Sequence, residues 1–355
     1  MVLIIQKSLA VLMAALMIFY SFPGRAGDNI PDVSADYAVM MNDRGQVIYS
    51  RKADIPTRIA STTKLMTALL VLENVELDEN VLIEPSFCNI EGSSMYLRPG
   101  ELLTVRELLA GLLLPSGNDA AVALAEYTAG SVEAFVAMMN ERAAELGMES
   151  TSFENPHGLD GENHYSTAAD MARLMCCCME RQDFVELCGM TGCRIGDRAF
   201  TNHNKLLWQY DGCIAGKTGY TKAAGRCLVS CCQRGRTRLI CVTLSAPDDW
   251  NDHIKLYDWA FANYCTKNVM EDLSFQVSVS GGSPEAITAV PAADMELFLP
   301  KETEVKLVAE LPEIVFAPVN SGETAGQIWV IIDDEIIGSC ELIYSESAYA
   351  HDSGA

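Results

Sequence analysis

The order of apolar and polar positions divides the chain into blocks. Two alternating runs between Ala38 and Lys52 flank Asp43-Arg44-Gly45 and predict a hairpin. Ser61 to Glu73 is apolar nearly all round, which predicts a helix buried on every side. Spacings of three and four predict further helices over Thr104 to Leu114, Asn118 to Thr128, Val132 to Leu146 and Thr167 to Glu180, with Pro115 stopping the first of them. The period then shortens. Arg226 to Cys232 and Thr237 to Ser245 read as two strands about a turn at Gly235, and Asp249 to Tyr264 returns to helix with Ile254, Tyr257, Phe261 and Tyr264 on one face. Hairpins at both ends of a helical block predict an α/β (α+β) domain, a sheet covered by helices. From about Glu271 the pattern is β-rich and turn-punctuated: Ser274 to Ser280, Ala286 to Val290, Glu304 to Leu311, and Gln327 to Tyr344 folded about Asp333-Asp334. A small all-β domain over 271–345 follows from it, with a polar tail over 346–355.

The N-terminus adds an export signal. Lys7 precedes an uncharged run from Leu9 to Phe19, and Gly24-Arg25-Ala26 offers small residues at the cleavage-specifying positions. A membrane span needs about 20 apolar residues, more than this run has. Residues 1–26 are therefore expected to be a signal peptide, with an uncleaved N-terminal anchor, and membrane association through it, as the alternative. The first domain is expected over 27–268.

Charge and cysteines change the picture in two ways. The formal net charge of -23 excludes nucleic acid as a partner, because phosphate binding needs clustered Lys and Arg. An anionic substrate has to be drawn by a local basic pocket instead. The 13 cysteines are odd in number, and Cys176-Cys177-Cys178 and Cys231-Cys232 sit inside apolar stretches. They read as small buried hydrophobes rather than a disulfide framework. No C-x-x-C pair stands in the chain and the histidines have no ligand spacing, so neither metal nor organic cofactor is expected.

Three short motifs carry chemistry. In Ser61-Thr62-Thr63-Lys64, positions i and i+3 share a helix face, which puts the Ser61 hydroxyl beside the Lys64 amine. A serine hydroxyl becomes a nucleophile when a neighbour takes its proton, and a lysine can do so once burial or a second cation has lowered its pKa. Ser116-Gly117-Asn118 follows Pro115 as a tight loop presenting a hydroxyl and an amide. The hydroxyl could relay a proton to a leaving amine and the amide could hold a substrate carbonyl; taken alone, the loop reads rather as an ordinary helix cap. Lys217-Thr218-Gly219 stands directly before a strand. A cation, a hydroxyl and a glycine at a strand edge make a cradle for a carboxylate. Ser-x-x-Lys, Ser-x-Asn and Lys-Thr-Gly in this order form the motif set of penicillin-binding proteins and serine β-lactamases.

The chain resembles the low-molecular-mass penicillin-binding proteins, the serine-type D-alanyl-D-alanine carboxypeptidases (peptidase S11-like), from about Asp36 to Tyr344. Asn155-Pro156-His157-Gly158-Leu159, His164-Tyr165-Ser166-Thr167-Ala168, Asn202-His203-Asn204-Lys205-Leu206-Leu207 and Asp211-Gly212 add to the likeness. The resemblance implies a β-lactamase/transpeptidase-like catalytic domain, an antiparallel sheet covered by helices. It implies a peptidoglycan stem peptide as substrate and β-lactams as covalent inhibitors. Ser61 then attacks the carbonyl of the penultimate D-alanine, Lys64 takes its proton, and Ser116 passes one to the departing D-alanine. Asn118 orients Lys64 and the substrate amide. Lys217, Thr218 and Gly219 hold the terminal carboxylate, and the N–H groups of Ser61 and Tyr220 form the oxyanion hole. His203 stands where some members carry a carboxylate-binding arginine; it is placed with the substrate-binding residues, its other reading being a plain loop residue.

Rival readings share these motifs. A class A β-lactamase also needs a glutamate and an asparagine spaced E-x-x-x-N, and none stands between Gly130 and Gly216. A DD-endopeptidase cutting cross-links differs only in groove shape, and a catalytically weak penicillin-binding scaffold keeps the same residues. Both stay open, with action in the cell wall or at the outer face of the cytoplasmic membrane expected in each case.

Overall fold

The computed structural model describes the backbone of Val2–Gln6 and residues 30–351, so the expected signal run 9–19 and its cleavage site lie outside the described residues. Two compact units are present, one of residues 26–262 and one from residue 263 onward that includes the strand Val2–Gln6.

The first unit is built on a five-stranded antiparallel sheet. Its strands are β1 (Tyr37–Asn42), β2 (Val47–Arg51), β3 (Cys213–Thr221), β4 (Gly225–Arg234) and β5 (Thr237–Leu244), in the order β2-β1-β5-β4-β3. Both middle strands from the C-terminal part are buried on both faces, which is why they read as continuous apolar runs rather than alternating ones. Ile240 and Val242 of β5 join the main core with helices α1 (Lys64–Asn74), α2 (Val105–Leu113), α3 (Asn118–Ala129), α4 (Val132–Glu145), α5 (Ala168–Cys178) and α6 (Gln182–Gly189). Helix α1 is buried at every position from Lys64 to Leu72, as its all-round apolar pattern predicts. Thr104 caps α2 through a reciprocal capping box with Glu107.

Helix α7 (Asp249–Asn263) meets the sheet through polar groups. His253 Nδ1 lies 2.7 Å from Ser230 Oγ, its Nε2 3.0 Å from Thr243 Oγ1, and Ser230 Oγ lies 2.9 Å from the Tyr257 hydroxyl. All four residues are buried, so each needs these partners.

The second unit corrects two boundaries. Residues 263–268, expected with the first domain, fall in this unit because Tyr264–Asn268 pairs with Glu296–Pro300. The tail expected over 346–355 is not free at its start. Ala348 is buried and bridges Val319, and Tyr349–Ala350 pairs with Gly282–Ser283. The remaining strands form a mostly antiparallel sheet around the hairpin Thr324–Ile332 and Glu335–Tyr344, which turns at Asp333-Asp334 as the pattern predicts. All 13 cysteines are unpaired thiols, seven of them buried. Among the described residues, no single helix is long and apolar enough to cross a membrane.

Burial pushes the His253 pKa down to about 3. The unfolded chain takes up this proton near pH 6.5 and the folded chain does not, so stability present above pH 6.5 falls as the pH drops through that window. Urea unfolding at pH 7 and pH 5 should show His253→Gln losing about 2 kcal/mol less between the two than the wild type. Equal losses would show that this imidazole does not titrate in the unfolding reaction.

Candidate active site

Ser61 does not start a regular helix. It sits in a 3-10 turn, Ala60–Thr63, that runs into α1. The tighter turn has a local cause: the hydroxyls of Thr62 and Thr63 donate back to the carbonyls of Ile59 and Ala60, at 2.6 and 2.8 Å. Ala60 itself has φ +48°, a conformation that a side chain disfavours and that surrounding contacts must hold.

Lys64 Nζ, fully buried, lies 3.0 Å from Ser61 Oγ, 2.7 Å from Asn118 Oδ1 and 2.7 Å from the carbonyl of His157. Among the described residues no carboxylate pairs with it. The nearby acid Asp119 spends its oxygens on Ser94 Oγ and the N–H groups of Met95, Leu97 and Ala120. Burial first, and then the charge of Lys217, hold the Lys64 pKa well below the usual lysine range; Asp119 opposes them. A neutral amine has two hydrogens and one lone pair. The two shorter contacts take the hydrogens, and the lone pair faces the Ser61 hydroxyl.

Lys217 lies inside the edge strand β3, not before a strand as the sequence suggests, because β3 pairs with β4 in unbroken register from Ala215 to Thr221. It is 1% exposed and its Nζ donates to the Thr218 carbonyl at 3.0 Å. Burial brings its pKa down to about 8. Thr218 is half-buried and Tyr220, 66% exposed, stands at the rim. His203 is exposed, its N–H donates to the Leu114 carbonyl, and burial of its ring and the charge of Lys217 lower its pKa.

Glycines make the close packing possible. A methyl group on Gly219 would stand 2.9 Å from Ser61 N, and one on Gly158 would stand 2.0 Å from Ala60 O. The loop carrying Gly158 is strapped to α1 by Thr67 Oγ1 donating to Pro156 O at 2.6 Å, and is shaped by Asn155 Oδ1, which accepts from Gly158 N at 2.7 Å. Asn118, whose Oδ1 holds Lys64, is fixed through its Nδ2 to Glu91 O at 2.5 Å. Ser116, at φ +65°, has a buried hydroxyl with no hydrogen-bond partner among the described residues.

Comparison with known proteins places this geometry. The profile of a family described as D-alanyl-D-alanine carboxypeptidase matches residues 25–248. The chain belongs to this family of serine peptidases. It is 30% identical to the D-alanyl-D-alanine carboxypeptidase DacF of Bacillus subtilis, over 91% of this chain and 88% of that one. It is 31% identical to DacC of Escherichia coli, over 89% and 85%. Penicillin binding protein 5 from Haemophilus influenzae superposes with a TM-score of 0.71 at 28% identity, covering 91% of this chain and all of that one.

In this carboxypeptidase several contributors were out of reach of motif reading. The Lys64 acceptor on His157 and the Asn118 acceptor on Glu91 are backbone carbonyls, which any residue type supplies. Asp119 and Gly158 do have side-chain reasons, but those reasons are distances. Among the described residues no cluster of His, Cys, Asp or Glu is arranged to hold a metal.

Gly158→Ala should cost at least about 2 kcal/mol more than Gly45→Ala in urea unfolding, because overpacking adds to the left-handed backbone penalty. Both glycines have positive φ, and a methyl group on Gly45 would meet nothing within 4 Å. Equal costs would mean that the Gly158 loop yields freely to the added methyl.

Proposed function

We propose that the enzyme removes the terminal D-alanine from peptidoglycan stem peptides ending in D-Ala-D-Ala, through an acyl-enzyme on Ser61. The observation that carries this reading is the Lys64 amine, buried with no counter-ion among the described residues and 3.0 Å from Ser61 Oγ. As Oγ attacks the carbonyl carbon of the penultimate D-alanine, its proton passes to Lys64. The tetrahedral oxyanion forms between the N–H groups of Ser61 and Tyr220, a kind of site in which one donor contributes about 3–4 kcal/mol. Collapse breaks the peptide bond and expels D-alanine, whose amine takes a proton through Ser116. The unpartnered Ser116 hydroxyl supports this role, since a buried hydroxyl without a partner costs about 1–3 kcal/mol and a substrate group completes it. Lys217 and Thr218 hold the terminal carboxylate, Gly219 leaves room for the substrate backbone, and His203 adds a second nitrogen near that carboxylate. Asn118 keeps Lys64 aimed. Water then attacks the ester with Lys64 as base and frees the shortened peptide.

β-Lactams acylate the same serine. The substrate lies outside the cytoplasm, so we place the enzyme in the cell wall or at the outer face of the cytoplasmic membrane. No nucleic acid partner is proposed, in keeping with the net charge of -23.

The first test is D-alanine release from an acyl-D-Ala-D-Ala peptide. The wild type should release it and Ser61→Ala should lose at least about 10⁴-fold in kcat. Intact protein that releases none from several such peptides would overturn the reading in favour of cross-link cleavage.

The two lysines also set a pH profile. Lys64 works only when neutral, so kcat/KM rises with pH through its lowered pKa. Lys217 works only as a cation, so kcat/KM falls again as the pH passes about 8. Lys217→Arg keeps the charge at high pH and should shift the alkaline limb upward by more than one unit, measured as kcat/KM from pH 5 to 10. A limb that stays in place would assign it to another group.

A further inference from the structure

The turn at Ser61 is held by a hydrogen-bond chain that begins outside the three motifs. The Glu154 N–H donates to His164 Nδ1 at 3.0 Å, so Nδ1 is an acceptor and the neutral ring carries its hydrogen on Nε2. Nε2 lies 2.8 Å from Thr63 Oγ1, which therefore accepts, and the Thr63 hydroxyl has its own hydrogen for Ala60 O at 2.8 Å. Each step leaves one assignment for the next, so the chain runs in a single direction, from Glu154 to Ala60. His164 is 2% exposed and meets Phe153 edge to face at 5.8 Å. Burial lowers its pKa to about 4, against the pull of Glu154 and Asp160, which keeps Nδ1 an acceptor at neutral pH.

The far end of this chain is the peptide unit Ala60–Ser61. A peptide unit is planar, so fixing its carbonyl fixes the direction of its N–H. Here the carbonyl is gripped by Thr63 and crowded by Gly158, while the N–H side faces the position of Gly219. The Ala60 φ of +48° would relax if this grip were lost. An accepted hydrogen bond on the carbonyl also makes the N–H a stronger donor.

Resting on the acyl-enzyme reading above, we propose that His164 and Thr63 are positioning residues for the oxyanion hole. They hold the Ala60–Ser61 peptide so that the Ser61 N–H points at the developing oxyanion. Neither residue touches the substrate.

The test uses the full-length enzyme with D-alanine release and acylation by a fluorescent penicillin as paired readouts. Thr63→Val keeps the shape and removes the hydroxyl; it should lower kcat and the acylation rate about tenfold or more, with KM within about twofold. Thr63→Ser restores the hydroxyl and should return both to within about threefold of wild type. His164→Leu removes both the acceptor and the donor and should match Thr63→Val, and the double variant should fall no more than about twofold below the worse single one. Wild-type kcat in Thr63→Val, no recovery in Thr63→Ser, or losses that multiply in the double variant would each overturn the proposal. If His164→Leu does not fold, the Thr63 pair decides alone. Failure of the wild type itself to be acylated would instead sink the acyl-enzyme reading.

Discussion

The arrangement of this enzyme follows from burying two lysines near one another with no carboxylate to neutralise them. Removing an amine from water disfavours its charged form, and a second cation nearby disfavours it further. Lys64 feels both effects, whereas Lys217 is lowered chiefly by burial. Asp119, the acid that pulls the Lys64 pKa back up, bonds a hydroxyl and three amides rather than the Lys64 amine. The same carboxylate thereby anchors the loop over residues 94–97 beside the second motif.

Placing a buried amine against a serine requires backbone to approach backbone. Two glycines serve that need from opposite sides, Gly158 against the Ala60 carbonyl and Gly219 against the Ser61 amide. The sheet supplies Gly219 on an edge strand, where one side is left for an extended substrate. The loop of Gly158 comes from the segment between α4 and α5, fastened to α1 through Thr67. Rigidity at the serine is thus a property of three segments far apart in the chain, and it rests on a core that covers both faces of the central sheet.

The scaffold and its chemistry are coupled through polar groups buried at places a purely apolar core would not tolerate. His253, Ser230 and Tyr257 fasten α7 to strands β4 and β5, one strand away from Lys217. His164 and Thr63 do the same at the nucleophile turn. In both cases a neutral histidine is enforced by burial, and in both the hydrogen bonds connect a helix or loop to the element packed against it.

Much of this was legible in the residues themselves. The all-round apolar pattern of 61–73 gave the central helix, and the spacing i and i+3 gave the contact between Ser61 and Lys64, the proposed nucleophile and base. The order of the three motifs pointed to the family, and Asp333-Asp334 to a hairpin turn. The chain order could not decide whether 263–268 ends a helix or pairs as a strand, since short apolar runs fit both and the partner strand lies about thirty residues away. Nor could it decide that Lys217 sits within a strand, that Ser61 begins in a 3-10 turn, or that carbonyls of His157 and Glu91 hold Lys64 and Asn118 in place. Residue types and spacings fix which chemical groups are available and which local neighbours meet. Long-range packing alone sets burial, and burial is what lowers the pKa of both lysines and keeps His164 and His253 neutral.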